Sequence, residues 1–163
     1  MSAPHSGYTR IELVVVLIIL AILAASIVPR LANQPLTLAA SAEQFAGDIR
    51  YVQSLAMTQG QRYRIIVNAG SYSFADNTGA AVANPTTGTT AAIPLAGITI
   101  TSAPALPASP NNFIAFDDKG IPYDSTATAL AADEVFTLTA TGGVVTGRVT
   151  ISRQTGRVTV SVP

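Results

Sequence analysis

From Leu13 to Val28 the chain reads LVVVLIILAILAASIV without a charged side chain, and this run constrains the fold more than any other feature. Extended back to Tyr8, it supplies roughly the twenty residues that a helix needs to cross the hydrocarbon core of a bilayer. One membrane-spanning helix is therefore predicted. Pro29 and Arg30 follow at once; the proline kinks the helix or ends its lipid-buried part, and Arg30 can reach the interface. Composition agrees with an anchor plus one domain, because the 163 residues are 48% hydrophobic and only 11% charged.

The remaining composition mostly excludes functions. Lys and Arg balance Asp and Glu to a net charge of +0, so bulk charge points to neither nucleic acid nor an anionic lipid surface. Without cysteine there is no thiolate nucleophile, no Cys-based zinc site and no disulfide. His5 is the only histidine, so a Ser-His-Asp triad or a multi-histidine metal site has no other histidine to draw on. No Gly-rich phosphate loop precedes a helix, and no cofactor signature is present.

After Pro35 the residues Leu38, Ala42, Phe45, Ile49, Val52 and Ala56 recur every three or four positions, the stripe of an amphipathic helix that stops near Gly60. The period then changes to two, in Arg62 to Asn68 and Ser71 to Ala75 around an Asn68-Ala69-Gly70 turn, which predicts a hairpin. Asn77 to Gly97 has no clear period and reads mainly as a surface loop. Further short strands are predicted at Ile98 to Thr101, Phe113 to Phe116 and Val135 to Thr139. The last hairpin is the clearest: Arg148 to Ser152 and Arg157 to Val162 flank Arg153-Gln154-Thr155-Gly156 and are rich in β-branched residues.

Glu12 adjoins the uncharged run, where moving a carboxylate toward the bilayer centre costs roughly 2.5 to 3.5 kcal/mol. One reading leaves it at the headgroup level, as a helix-start residue favoured by the dipole. Its neighbours offer another. The stretch GYTRIELVVVLIILAILAASIVPRL, beginning at Gly7, resembles the class III signal of type IV prepilins and type II secretion pseudopilins. The resemblance implies cleavage between Gly7 and Tyr8 by a prepilin peptidase and N-methylation of Tyr8. It also places the family's glutamate at Glu12 and its helix-kinking proline at Pro29. A carboxylate within a bundle of apolar helices is tolerable when a cation, here the Tyr8 amine of a neighbouring subunit, pairs with it. Arg10 stands where the family usually has Leu, and the leader MSAPHS lacks Lys or Arg. A conventional secretory signal, cut after the small residues Ala24-Ala25-Ser26 to leave Ile27 first, is the competing reading.

The soluble part, with FAGDIRYVQSLAMTQGQRYRIIV beginning at Phe45 and GRVTISRQTGRVTV beginning at Gly147, resembles the GspH/FimT group of minor pilins and pseudopilins and the related MSHA pilin proteins. That resemblance implies an α+β pilin fold: a long N-terminal helix, its first half transmembrane, packed on an antiparallel β-sheet. The expected organisation is a leader at 1–7, a transmembrane and assembly helix at 8–29, the soluble half of the helix at 30–60 and a periplasmic β-rich domain at 61–163. The implied function is a minor subunit that initiates or caps a type IV pilus or type II secretion pseudopilus, not an enzyme. Its implied partners are other pilins through the N-terminal helix, the prepilin peptidase and an inner-membrane assembly platform. The expected location is the bacterial inner membrane, single-pass, with the C-terminal domain in the periplasm.

Two alternatives keep the fold: a major filament subunit, and a minor pilin that binds DNA through Arg148, Arg153 and Arg157 as phosphate contacts. Asp117, Asp118 and Asp124 are calcium candidates, since a hard cation takes clustered carboxylates, although Asp-Asp-Lys-Gly is also an ordinary turn. Asp117-Asp118 and Asp133-Glu134 are the formal acid/base pairs of an enzyme reading, but adjacent carboxylates in a strand or turn point apart, into water.

Overall fold

The computed structural model describes residues 10–32, 34–143 and 145–162, and of 24–34 the backbone alone. It divides into two compact units, residues 1–34 and 35–163. The helix expected over 8–60 is present as two elements: α1 (Arg10–Ala32) in the first unit, and α2 (Gln34–Gln59), which runs on into the second. Helix α1 does not end at Pro29 but continues through it to Ala32.

In the second unit Pro35 sits in the first turn of α2, where its missing N–H breaks no helical hydrogen bond. The predicted stripe is the buried face: Leu38, Ala42, Phe45, Ile49, Val52 and Ala56 are all fully or almost fully buried. Gly60 closes the helix with a φ of 64° and an amide bond to the Ala56 carbonyl, a left-handed cap that glycine adopts without strain.

The expected α+β fold, a helix packed on antiparallel strands, is present, with the strands divided between two sheets. The first contains β1 (Tyr63–Asn68), β2 (Ser71–Asp76), β3 (Ala81–Val82), β4 (Ile93–Pro94), β6 (Phe113–Phe116) and β7 (Pro122–Tyr123), in the order β3-β2-β1-β6-β7 with β4 also on β2. The second contains β5 (Ile98–Ala103), β8 (Glu134–Ala140), β9 (Thr146–Ile151) and β10 (Val158–Ser161), in the order β10-β9-β8-β5. All pairings are antiparallel. The two predicted hairpins are present, with Asn68 opposite Ser71 and Ile151 opposite Val158.

Alternation explains how both sheets share one helix. Tyr63, Ile65 and Val67 of β1 point inward, as do Phe136 and Leu138 of β8 and Val149 and Ile151 of β9. The Phe45 ring of α2 meets Tyr72 of the first sheet edge-on at 4.9 Å and Phe136 of the second at 5.3 Å. Each such pair is worth about 0.5–1.5 kcal/mol beyond its buried area. Gln53 of α2 donates to the carbonyls of Gly120, in the β6–β7 turn, and Thr155, in the β9–β10 turn.

The stretch Asn77 to Gly97, expected to be mainly surface loop, holds β3 and β4 and buries Asn84 and Leu95. The Leu95 amide bonds to the Gly70 carbonyl, which fastens the stretch to the β1–β2 turn.

Candidate functional site

The first candidate is α1. Every residue from Arg10 to Leu23 is exposed, and the apolar ones, from Ile11 through Leu17 to Leu23, lie on all sides of the helix. An amphipathic helix keeps a polar face for water; this one has none and needs apolar cover all round. Each large apolar side chain left in water forgoes about 1.5–3 kcal/mol of burial free energy. Glu12 stands in the first turn, where the helix dipole favours an anion. Among the described residues no helix is long and apolar enough to cross a membrane; the stretch with placed side chains stops at Leu23, inside the apolar run. Gly7 and Tyr8 lie outside the described residues, and only the backbone of Pro29 is described.

The arginine candidates all lie on the β9–β10 hairpin. Arg148 is exposed near the middle of β9, opposite Thr137 and Ser161. Ile151, three residues further along, begins the turn, which puts Arg148 about 10 Å from it at 3.3 Å per residue. Arg153 is engaged: its amide donates to Asp133 Oδ1 and its guanidinium to the Ala131 carbonyl. Arg157 is exposed at the end of the same turn.

The calcium candidates act as turn residues. Asp117 Oδ1 accepts from the amides of Lys119 and Ile121. Asp124 Oδ1 accepts from the amides of Thr126 and Thr128 and from the Thr126 hydroxyl. Burial pushes the Asp124 carboxyl up, but these bonds outweigh it and hold it below the usual carboxylate range. Among the described residues no group of three or more carboxylate or histidine side chains could hold a metal ion, so Asp117, Asp118 and Asp124 do not converge on one.

The carboxylate pairs part company, but not both into water. Asp133 and Asp118 are exposed, while Asp117 is buried in its turn. Glu134, expected in solvent, is 2% exposed because strand alternation aims it inward beside Phe136 and Leu138. Burial alone raises its pKa to about 7, and its Oε1 has no hydrogen-bond partner among the described residues. A second buried carboxyl is partnered: Tyr72 donates to Asp48 Oδ2 at 2.6 Å. Desolvation raises the Asp48 pKa against that bond and pushes the Tyr72 hydroxyl up as well. As a polar residue Asp48 is expected on the solvent side of α2, but it lies three residues after Phe45 and four before Val52, and the helix buries it with them.

Two further arginines had no signal in the sequence. Arg62 lies over the Tyr123 ring at 4.2 Å, and Arg64 over the Phe113 ring at 4.8 Å. Arg64 donates to the carbonyls of Asp76 and Asn77. Asp76 Oδ1 accepts from the Thr78 hydroxyl and from the amides of Thr78 and Ala80, and these bonds, the hydroxyl's foremost, lower its pKa.

Residues 41–162 match the family described as Type II transport protein GspH. No curated protein sequence matches the chain. Among solved structures, the type IV minor pilin FimU of Pseudomonas aeruginosa is similar at a TM-score of 0.56 and 16% identity, over 76% of this chain and 92% of that one. The minor pseudopilin EpsH of the Vibrio cholerae Type 2 Secretion System is similar at 0.54 and 14%, over 77% and 97%. A second crystal form of FimU gives 0.51 and 18%, over 79% and 91%.

Proposed function

Because the chain belongs to the GspH family of type II transport proteins and is by family and fold a minor pilin or pseudopilin subunit, we propose that it initiates or caps assembly of a type IV pilus or type II secretion pseudopilus. The observation that carries this reading is α1, apolar on all sides and exposed from Arg10 to Leu23. Such a helix needs either lipid or other apolar helices around it, and a filament subunit meets both in turn.

In this reading the segment 8–29 anchors the unassembled subunit in the bacterial inner membrane, with residues 35–163 in the periplasm. The prepilin peptidase cuts between Gly7 and Tyr8 and methylates Tyr8. On extraction by the assembly platform, the stem exchanges lipid for the stems of other subunits. Glu12 then accepts the Tyr8 ammonium of a neighbour, an ion pair that fixes register because neither charge is tolerated alone among apolar helices. No reaction is assigned to the chain, since its family and fold are those of structural subunits.

N-terminal sequencing with mass spectrometry of the protein from the native cell tests the anchor and processing. The expected mature start is methylated Tyr8, and a start at Ile27 refutes the reading. Deleting the gene should sharply reduce filament number while leaving the composition of the remaining shafts unchanged. Loss of the shaft's main protein component would instead assign the bulk role.

A further inference from the structure

On the outward face of the first sheet a cleft of about 390 Å³ is lined by Arg62 and Arg64, by Phe113, by Asp76 and Asp124, and by the turn that carries Ser125 and Ala127. Its volume falls within the roughly 300–1,000 Å³ of small-ligand sites. The Arg62 guanidinium carbon lies 4.2 Å from the centre of the Tyr123 ring, and the guanidinium makes no hydrogen bond or ion pair among the described residues. This ring contact leaves its N–H donors without a partner among the described residues, and a planar fork of free donors is suited to a bidentate carboxylate. Arg64 differs: it spends donors on the Asp76 and Asn77 carbonyls, so it braces the wall.

We propose that this cleft binds a short acidic segment of a partner protein, with a Glu or Asp carboxylate of that segment seated against the edge of Arg62. The two aspartates in the wall decide between anionic ligands. Each commits Oδ1 to its own turn, and the second oxygen makes no hydrogen bond among the described residues. These negative walls oppose a polyanion such as a nucleic-acid backbone. A polypeptide suits them, since it brings one carboxylate for Arg62 together with amide N–H donors for the aspartate oxygens. Phe113 and Ala115 supply apolar floor for the neighbouring side chains of the segment.

The rim is held in advance. Ala127 has a φ of 64°, the only positive φ outside glycine among the described residues. Its amide bonds to the Asp124 carbonyl, while Asp124 Oδ1 takes the amides on either side of it. Strained backbone held this firmly is a mark of a preorganised binding rim. This inference does not depend on whether the subunit primes or caps a filament.

The test titrates the full chain, in detergent micelles, with the capped peptide Ac-Phe-Glu-Ala-Ala-NH2 and its Gln counterpart, following aromatic and arginine side-chain NMR signals. The Glu peptide should shift the signals of Tyr123, Phe113 and Arg62 saturably, and the Gln peptide should bind about tenfold more weakly. Arg62→Gln should weaken the Glu peptide by about tenfold, and Arg62→Lys by less, because the ammonium keeps charge but not the planar fork. Equal binding of the two wild-type titrations overturns the proposal, as do shifts mapping elsewhere. Inorganic phosphate displacing the Glu peptide at equal concentration also overturns it, in favour of a small-anion site. The peptide comparison on the unmodified chain decides the matter even if a variant fails to fold.

Discussion

Glu134 is a carboxyl with hydrophobic company: Phe136 and Leu138 share its side of β8, and burial raises its pKa from 4.5 to about 7. Below pH 4.5 the folded and unfolded chains both hold the proton. Between 4.5 and 7 only the folded chain keeps it, so stability falls as pH rises through that window and stays lower above it. Asp48, also raised by burial, adds to the same slope from its own range upward, whereas Asp76 and Asp124, held low by turn bonds, lose their contribution only as pH falls below the ordinary carboxylate range. Glu134→Gln is expected to abolish most of the decline, raising stability at pH 8 by on the order of 2–3 kcal/mol with little gain at pH 4.5. Chemical denaturation at the two pH values measures it, and an unchanged difference between them would falsify the assignment. The sequence showed the Asp133-Glu134 pair but not its burial, since an acidic residue at an inward position contradicts the usual pattern and is visible only once the strand's register is known.

At the scale of elements, α2 does more than contribute a buried stripe. Gln53 reaches the turns at the ends of both sheets, and Gly156 makes that approach possible. A Cβ there would stand 2.3 Å from the Gly120 carbonyl oxygen and 2.4 Å from Gln53 Nε2, on a backbone with a φ of 65°. Gly142 has a φ of 100° but nothing within 4 Å of a Cβ. Gly156→Ala should therefore cost roughly 3 kcal/mol or more, through backbone strain plus displaced turns, and Gly142→Ala about 1 kcal/mol. Urea denaturation of the two variants compares them directly; equal losses would mean that the convergence of helix and turns adds nothing. The hairpin that holds Gly156 was legible in its β-branched flanks and turn residues. Its packing against Gly120, far earlier in the chain, was not.

Across the whole molecule the charges are balanced and dispersed, with a net charge of +0. The Arg153 amide donates to Asp133 Oδ1 and its guanidinium to the Ala131 carbonyl, and Arg148 sits along β9 away from the turn. Retention of DNA in a gel shift should consequently show no salt-sensitive component, and replacing Arg148, Arg153 and Arg157 together by Ala should leave the result unchanged; binding that weakens with salt and vanishes in the triple variant would restore the DNA-binding reading. What the sequence by itself determined is the uncharged run from Leu13 to Val28, the α2 stripe and the two strong hairpins, because each is written in local periodicity and turn chemistry. Only the tertiary structure decided that the strands form two sheets under one helix, that β3, β4 and β7 exist, that Glu134 is buried, and that Arg62, on the wall of a cleft, lies over the Tyr123 ring. The physical reason is that these depend on pairings between distant segments. Strands of two residues such as Pro122–Tyr123 carry no period of their own, and a proline among them argues against a strand until an edge position removes the objection.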